Sequence, residues 1–286
     1  MKERTTKEIL NKITINFGKE LTGFEVLTGG DINEVFLIEC DTEKFVVKLN
    51  DSSIFPGMFE AEKSGLQELS EAAVIDIPGV IKCGTLASKS YLLLDYKRSA
   101  PKISNFWEIF GIQLAELHLQ TSDSFGFKED NYIGSLPQYN DYKDSATEFY
   151  IEMRLEPQIR MAKENGFRLN IPETFYNTLE NLIPTEPPAL IHGDLWNGNF
   201  LVNEKGKPCL IDPAVSYAPR EMDLAMMKLF GGFNARLFKT YEEVYPLQKN
   251  WEERISLWQL YYLLVHLNLF GAGYKAQVNS IIKKFS

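Results

Sequence analysis

The sequence predicts an α+β fold in two lobes: a small antiparallel sheet with one internal helix, then a mainly helical part. Short β-rich runs separated by turn residues fill the first stretch of the chain. One helical pattern, Met58–Leu69, interrupts them. After Lys97 apolar residues recur at helical spacing almost to the end, broken by one short hairpin. The boundary is expected near Asp95–Ala100, dividing the chain into residues 1–97 and 98–286.

Thr5–Phe17 places Ile9, Leu10, Ile13 and Phe17 near one helical face. Phe24–Leu27, Glu34–Glu39 and Phe45–Leu49 read as three strands of a meander. Their connections are Thr28-Gly29-Gly30-Asp31 and Asp41-Thr42-Glu43-Lys44. Phe59, Leu66 and Leu69 give the Met58–Leu69 helix its apolar side. Val80–Ile81 and Tyr91–Leu94 are two further strands, with Gly84 expected in the turn between them. Helices are then expected over Ile103–Gln120, Ser145–Asn165, Pro172–Ile183, Arg220–Leu229, Ala235–Glu243 and Trp251–Phe270. The hairpin joins Phe200–Val202 to Cys209–Ile211.

Bulk properties remove several function classes. A net charge of −9 argues against nonspecific binding to nucleic acid or anionic membrane. Cys40, Cys83 and Cys209 form no disulfide framework or CxxC pair, and His118, His192 and His266 have no zinc spacing. The first residues lack the apolar core of a secretory signal. Leu257–Phe270, the most apolar stretch, is interrupted by Gln259, His266 and Asn268 and is shorter than the roughly 20 residues a membrane span needs. These features imply a soluble protein in the reducing cytoplasm.

The chemistry concentrates in Leu190–Pro213, LIHGDLWNGNFLVNEKGKPCLIDP. Folding the hairpin about Lys205-Gly206 sets Asn199 opposite Asp212, with Asp194 in the loop just before. An amide oxygen and a carboxylate then share one small volume, which suits Mg²⁺ completed by nucleotide phosphates. Asp194 is free to accept a proton from an attacking hydroxyl. A catalytic Asp, four intervening residues, an Asn and a second Asp is the division of labour of protein-kinase-like phosphoryl transfer. Such a site also needs a lysine and a lid for the phosphates. Lys48 ends an apolar strand, Gly29 and Gly30 lie between the preceding strands, and Glu60 or Glu62 can pair with Lys48. Asp95-Tyr96-Lys97 is placed as a hinge whose backbone faces an adenine edge, so Asp95 and Lys97 join the nucleotide-binding candidates.

The run His192–Asn199, then Asp212-Pro213-Ala214, Arg220–Leu224 and Phe230-Gly231-Gly232-Phe233, together resemble the fructosamine kinase family, or ketosamine-3-kinases. Gly29–Asn33, Val47–Asn50, Met58–Glu62 and His266–Gly271 extend the resemblance over nearly the whole chain. The resemblance implies a protein-kinase-like two-lobe fold that uses ATP and Mg²⁺. It implies phosphorylation of the C3 hydroxyl of a small-molecule or protein-linked ketosamine, whose unstable 3-phosphate releases the amine. On this pattern Asp194 is the base, Asn199 and Asp212 hold metal, Lys48 pairs with phosphate, and Glu62 rather than Glu60 partners Lys48. Some members carry a cysteine in the glycine loop where this chain has Asp31. Another small-molecule hydroxyl kinase of the aminoglycoside or choline type, and a non-catalytic pseudokinase, are the alternative readings. Trp196 is a candidate for contact with a sugar face. His192 and Asp223 read as supports of the Asp194 loop, and His118 as a structural histidine on a core helix.

Overall fold

The structure is a computed structural model that describes residues 2–27 and 32–286, without the side chains of residues 2–5. Gly29, Gly30 and Asp31, the expected phosphate lid, lie outside the described residues. Helix α1 (Lys2–Ile15) leads into strands β1 (Leu21–Leu27), β2 (Glu34–Cys40) and β3 (Glu43–Asp51). Helix α2 (Met58–Glu71) follows, then β4 (Val80–Leu86) and β5 (Lys89–Asp95). The strands form one antiparallel sheet in the order β1-β2-β3-β5-β4.

Side chains alternate across this sheet and sort its two faces. Phe45, Val47, Leu49, Tyr91 and Leu93 pack with Leu10 and Ile13 of α1. Leu92 and Leu94 pack on the other face with Phe59, Leu66 and Leu69 of α2. Lys48 is out of phase with Val47 and Leu49, so it falls on the α2 face. One expectation fails here. Gly84 is not in a turn: β4 continues through it to Leu86, and Gly84 pairs with Tyr91. A Cβ at Gly84 would lie 3.1–3.3 Å from the Tyr91 ring and hydroxyl, so the glycine makes room for a cross-strand ring rather than ending the strand. The chain turns instead just beyond Leu86, where Ala87 takes a φ of +56°.

The helical part opens with α3 (Phe106–His118) and a short hairpin, β6 (Asn131–Ile133) and β7 (Leu136–Gln138). The expected helix over Ser145–Asn165 is present as α4 (Ala146–Phe149), a π-helical stretch Tyr150–Leu155 and α5 (Glu156–Glu164). Pro157 stands just after the widened turns and has no N–H to continue a regular ladder. Then come α6 (Glu173–Leu182), β8 (Ala189–Ile191), β9 (Phe200–Val202), β10 (Pro208–Leu210) and β11 (Ser216–Ala218). Helices α7 (Glu221–Phe230), α8 (Ala235–Val244), α9 (Trp251–Phe270) and α10 (Lys275–Lys284) finish the chain. Most apolar residues of α9 from Leu257 to Leu267 are buried, whereas Phe270 at its end is exposed. Among the described residues no helix is long and apolar enough to cross a membrane. One apolar cluster joins the two parts: Leu92 and Leu94 of the sheet share it with Phe106, Phe110, Leu190, Leu195, Leu210 and Leu224.

Candidate active site

The β9–β10 hairpin pairs Phe200 with Leu210, Leu201 with Cys209 and Val202 with Pro208. One step further, the Ile211 N–H donates to the Asn199 carbonyl at 3.0 Å. Asn199 therefore faces Ile211, and the expected pairing with Asp212 is off by one residue. The cause is the turn. Asn203 N–H bonds the Lys207 carbonyl at 2.8 Å, enclosing Glu204-Lys205-Gly206, with Gly206 left-handed at φ +71°. Three-residue loops closed by a left-handed glycine are a standard hairpin solution.

Asp212 still reaches the site, because it leaves the strand at φ +55°. Its Oδ1 lies 2.5 Å from Lys48 Nζ, which lies 2.5 Å from Glu62 Oε1. Glu62 is thus the lysine's partner, and Glu60 is exposed. Burial would favour neutral Lys48, but Asp212 and Glu62 outweigh it and push its pKa up, so the ammonium stays charged. Asn199 ties the other two groups together. Its amide nitrogen donates to the Asp194 carbonyl at 2.9 Å, to Asp194 Oδ2 at 3.1 Å and to the Asp212 carbonyl at 3.4 Å. Those contacts fix which end of the amide is nitrogen and leave Oδ1 as the atom able to hold a cation. Burial first, then the charge of Asp212, push the Asp194 carboxyl up to about 7, against the Asn199 hydrogen bond.

The loop before Asp194 is over-determined. Its backbone N–H groups at His192 and Gly193 donate to Asp223 Oδ2 and Oδ1 at 2.8 and 2.9 Å. His192 Nε2 lies 2.9 Å from the Ile211 carbonyl, which can only accept, so Nε2 carries the proton and Nδ1 accepts from Asp194 N–H at 3.3 Å. Burial pushes the His192 pKa down and keeps that ring neutral, a loop support as its sequence position suggested.

Lys48, Glu62, Asp194, Trp196, Asn199 and Asp212 all line one cavity of about 710 Å³. Trp196 is 38% exposed and folds back over Gly198, whose added Cβ would lie 2.3 Å from its ring. Asp95 and Lys97 do not join this group. Lys97 Nζ pairs with Asp76 and Asp95 at 2.9 and 3.4 Å, and all three line a separate polar cleft of about 420 Å³. The sequence reading missed the wall made by Tyr132, Ile133, Gly134 and Ser135 at the tip of β6–β7. Its strands are three residues long, too short for a period to show, and Gly134-Ser135 was the available turn signal.

Comparisons place this architecture. An aminoglycoside phosphotransferase, 14% identical, superposes with a TM-score of 0.63 over 99% of both chains, which marks the fold as protein-kinase-like. The crystal structure of a Haemophilus somnus protein provisionally named fructosamine-3-kinase is closer, with a TM-score of 0.88 and 27% identity over 96% of each chain. An Enterococcus faecium protein provisionally named ketoamine kinase is 37% identical over 91% of this chain and 94% of its own. The chloroplastic protein-ribulosamine 3-kinase of Arabidopsis thaliana is 35% identical over 93% of this chain and 83% of its own. The family model described as fructosamine kinase matches residues 4–286. The chain belongs to the fructosamine kinase family, and it is a kinase.

Proposed function

We propose that this kinase transfers the γ-phosphoryl group of ATP to the C3 hydroxyl of a ketosamine, after which the unstable 3-phosphate lets the amine go and reverses glycation. The observation that carries the reading is the convergence of Lys48, Glu62, Asp194, Asn199 and Asp212 on one cavity. Asp194 accepts the C3 hydroxyl proton as that oxygen attacks phosphorus, and ADP departs with the cleaved bond's electron pair. A carboxyl held near 7 suits a general base at neutral pH. Lys48, kept cationic, pairs with nucleotide phosphates. Gly29 and Gly30 are assigned to the lid over them, and the hinge backbone at Asp95 and Lys97 to the adenine edge.

The donor set fits magnesium: the Asp212 carboxylate and Asn199 Oδ1 are hard oxygen ligands. Among the described residues no group of three or more His, Cys, Asp or Glu could hold a metal alone, so phosphate oxygens complete the shell. Bound there, Mg²⁺ neutralises charge on the transferring phosphate. Trp196 is assigned to a sugar face. The acceptor's amine belongs to an amino acid, peptide or protein, and the setting is the cytoplasm.

A different hydroxyl kinase is the second reading, because the aminoglycoside phosphotransferase shares the fold. Against it, Trp196, Phe230, His266 and Phe270 line the cavity, and its lining carboxylates, Glu62, Asp194 and Asp212, are those already assigned to Lys48, the proton and the metal. The pseudokinase reading conflicts with intact Lys48, Asp194, Asn199 and Asp212. Incubation with ATP, Mg²⁺ and ribulosyl- or fructosyl-lysine is expected to give a phosphorylated adduct. Asp194→Ala is expected to cut kcat by about 10³-fold or more with the fold retained by circular dichroism. Turnover of aminoglycosides alone sinks the substrate and leaves the kinase; ATP binding without any turnover revives the pseudokinase.

A further inference from the structure

The β6–β7 hairpin walls the cavity with strands of three residues each, too few to hold a position by their own pairing. Its tip meets α9. A Cβ on Gly134 would lie 3.0 Å from Leu269 Cδ1, on the stretch of α9 where His266 and Phe270 also line the cavity. What fixes the hairpin lies at its base. Asn131 and Gln138 are cross-strand partners, so their side chains leave the same face, and they are 6% and 2% exposed.

The hydrogen bonds of these two amides leave one orientation for each. The Val215 carbonyl can only accept, so the Asn131 atom 2.8 Å from it is Nδ2, and Oδ1 faces Gln138. Gln138 Nε2 donates to that oxygen at 2.7 Å and to the Ala214 carbonyl at 3.1 Å. Its Oε1 accepts the Tyr261 hydroxyl of α9 at 2.7 Å. Ala214 and Val215 directly follow Asp212-Pro213, and that segment is anchored from its other side. Ala214 N–H bonds the His192 carbonyl at 2.9 Å, and Ser216 pairs with Ile191. The segment is therefore the fixed part, and the hairpin hangs from it. Just beyond β7, Arg154 separately holds the Tyr139 carbonyl at 2.6 Å and Asn140 Oδ1 at 2.8 Å. Loss of Gln138 thus loosens the hairpin without freeing the chain that follows. Tyr132 also donates to the Pro56 carbonyl at 2.8 Å, but that exposed bond ties the tip to the other lobe, not to the catalytic loop. Buried polar networks of this kind rigidify only when every member is satisfied.

We propose that Gln138 is a positioning residue for the acceptor: it fixes the Tyr132–Ser135 wall against the segment that carries Asp212, and so sets where the ketosamine lies relative to the transferring phosphate. The proposal rests on a ketosamine being the acceptor in this cavity. It gives the short hairpin a part in the reaction through a side chain at its base.

Gln138→Met keeps the length and removes all of these hydrogen bonds, whereas Gln138→Glu returns an acceptor to Tyr261 without the N–H pair. Steady-state kinetics with ATP, Mg²⁺ and ribulosyl-lysine should show KM for ribulosyl-lysine up by about 10- to 30-fold in both variants. KM for ATP, and ATP hydrolysis without an acceptor, should stay within about twofold. Amide hydrogen exchange by NMR gives a readout independent of turnover: β6–β7 amides should exchange at least about tenfold faster in both variants, with the Gly193 amide unchanged. An unchanged KM for ribulosyl-lysine, or unchanged hairpin exchange, overturns the proposal. So does a loss of thermal stability in both variants that carries ATP hydrolysis and both KM values with it, since that is general damage to the core. If wild-type protein phosphorylates no ketosamine, the functional reading fails instead, and the exchange result still decides whether Gln138 holds the hairpin.

Discussion

Asp223 has no exposed surface, yet donors from His118, His192 and Gly193 converge on its carboxylate. Burial alone would push its pKa up; the His118 hydrogen bond first, with the Gly193 N–H, holds it below the usual carboxylate value. A carboxyl depressed in the folded state stabilises the fold above its unfolded pKa of about 3.9, and that stability is lost as pH falls through the folded value. Urea unfolding of wild type should therefore weaken below about pH 4. Asp223→Asn should lack that contribution and lose about 3 kcal/mol at pH 7. Equal stability of the two proteins at pH 7 would contradict this. Gly193→Ala faces both a left-handed backbone and the Ala214 carbonyl, and should cost about 3 kcal/mol or more by the same measurement. Sequence alone showed Asp223 as a support of the loop, because it stands at a fixed place after Asp212. It could not show what His118 does. A histidine on an apolar helical face looks the same whether it fills space or grips a carboxylate 105 residues away.

The β9–β10 hairpin is the element on which the site hangs, since Asn199 and Asp212 flank its open end. Its turn is clamped to the segment leaving the sheet: Ile103 N–H bonds the Gly206 carbonyl at 3.2 Å. A Cβ on Gly206 would lie 2.7 Å from both the Pro101 carbonyl and Ile103 Cγ2. Gly206→Val should cost about 2 kcal/mol and lower kcat in step with stability, read by thermal melting alongside the kinase assay. Unchanged kcat in a clearly destabilised variant would mean the hairpin does not hold the ligands in place. The existence and strand residues of this hairpin were legible from two apolar runs around a glycine. Its register was not, because a two- or three-residue turn fits the same letters and moves every facing pair by one. Asp212 reaches Lys48 through a left-handed backbone, which no side-chain pattern announces.

At the scale of the molecule, the sheet and the helical part each have an apolar cluster of their own and share a third to which both contribute. Phe110 of α3 is its aromatic centre, packed on Phe106, Trp107, Phe200 and Phe233 at centroid distances of 5.2–6.4 Å. Phe110→Ala should cost about 3–5 kcal/mol, and calorimetry of wild type should show one transition with matching calorimetric and van't Hoff enthalpies. Two separated transitions would show that the parts unfold independently. The order of the large elements was legible because helical and strand periods differ and the long helices repeat theirs many times. The β6–β7 hairpin, the β8–β11 pair and α10 were not seen. Their strands are three residues long, and α10 follows the apolar run of α9 after a break of a few residues. The central claim is phosphoryl transfer from ATP to carbon 3 of a ketosamine. It is tested most directly by proton-coupled phosphorus NMR of a mixed ketosamine panel incubated with enzyme, ATP and Mg²⁺. The account predicts a new monoester resonance coupled to the C3 proton, absent with Asp194→Ala. An unchanged spectrum, or a phosphate on any other carbon, would contradict it.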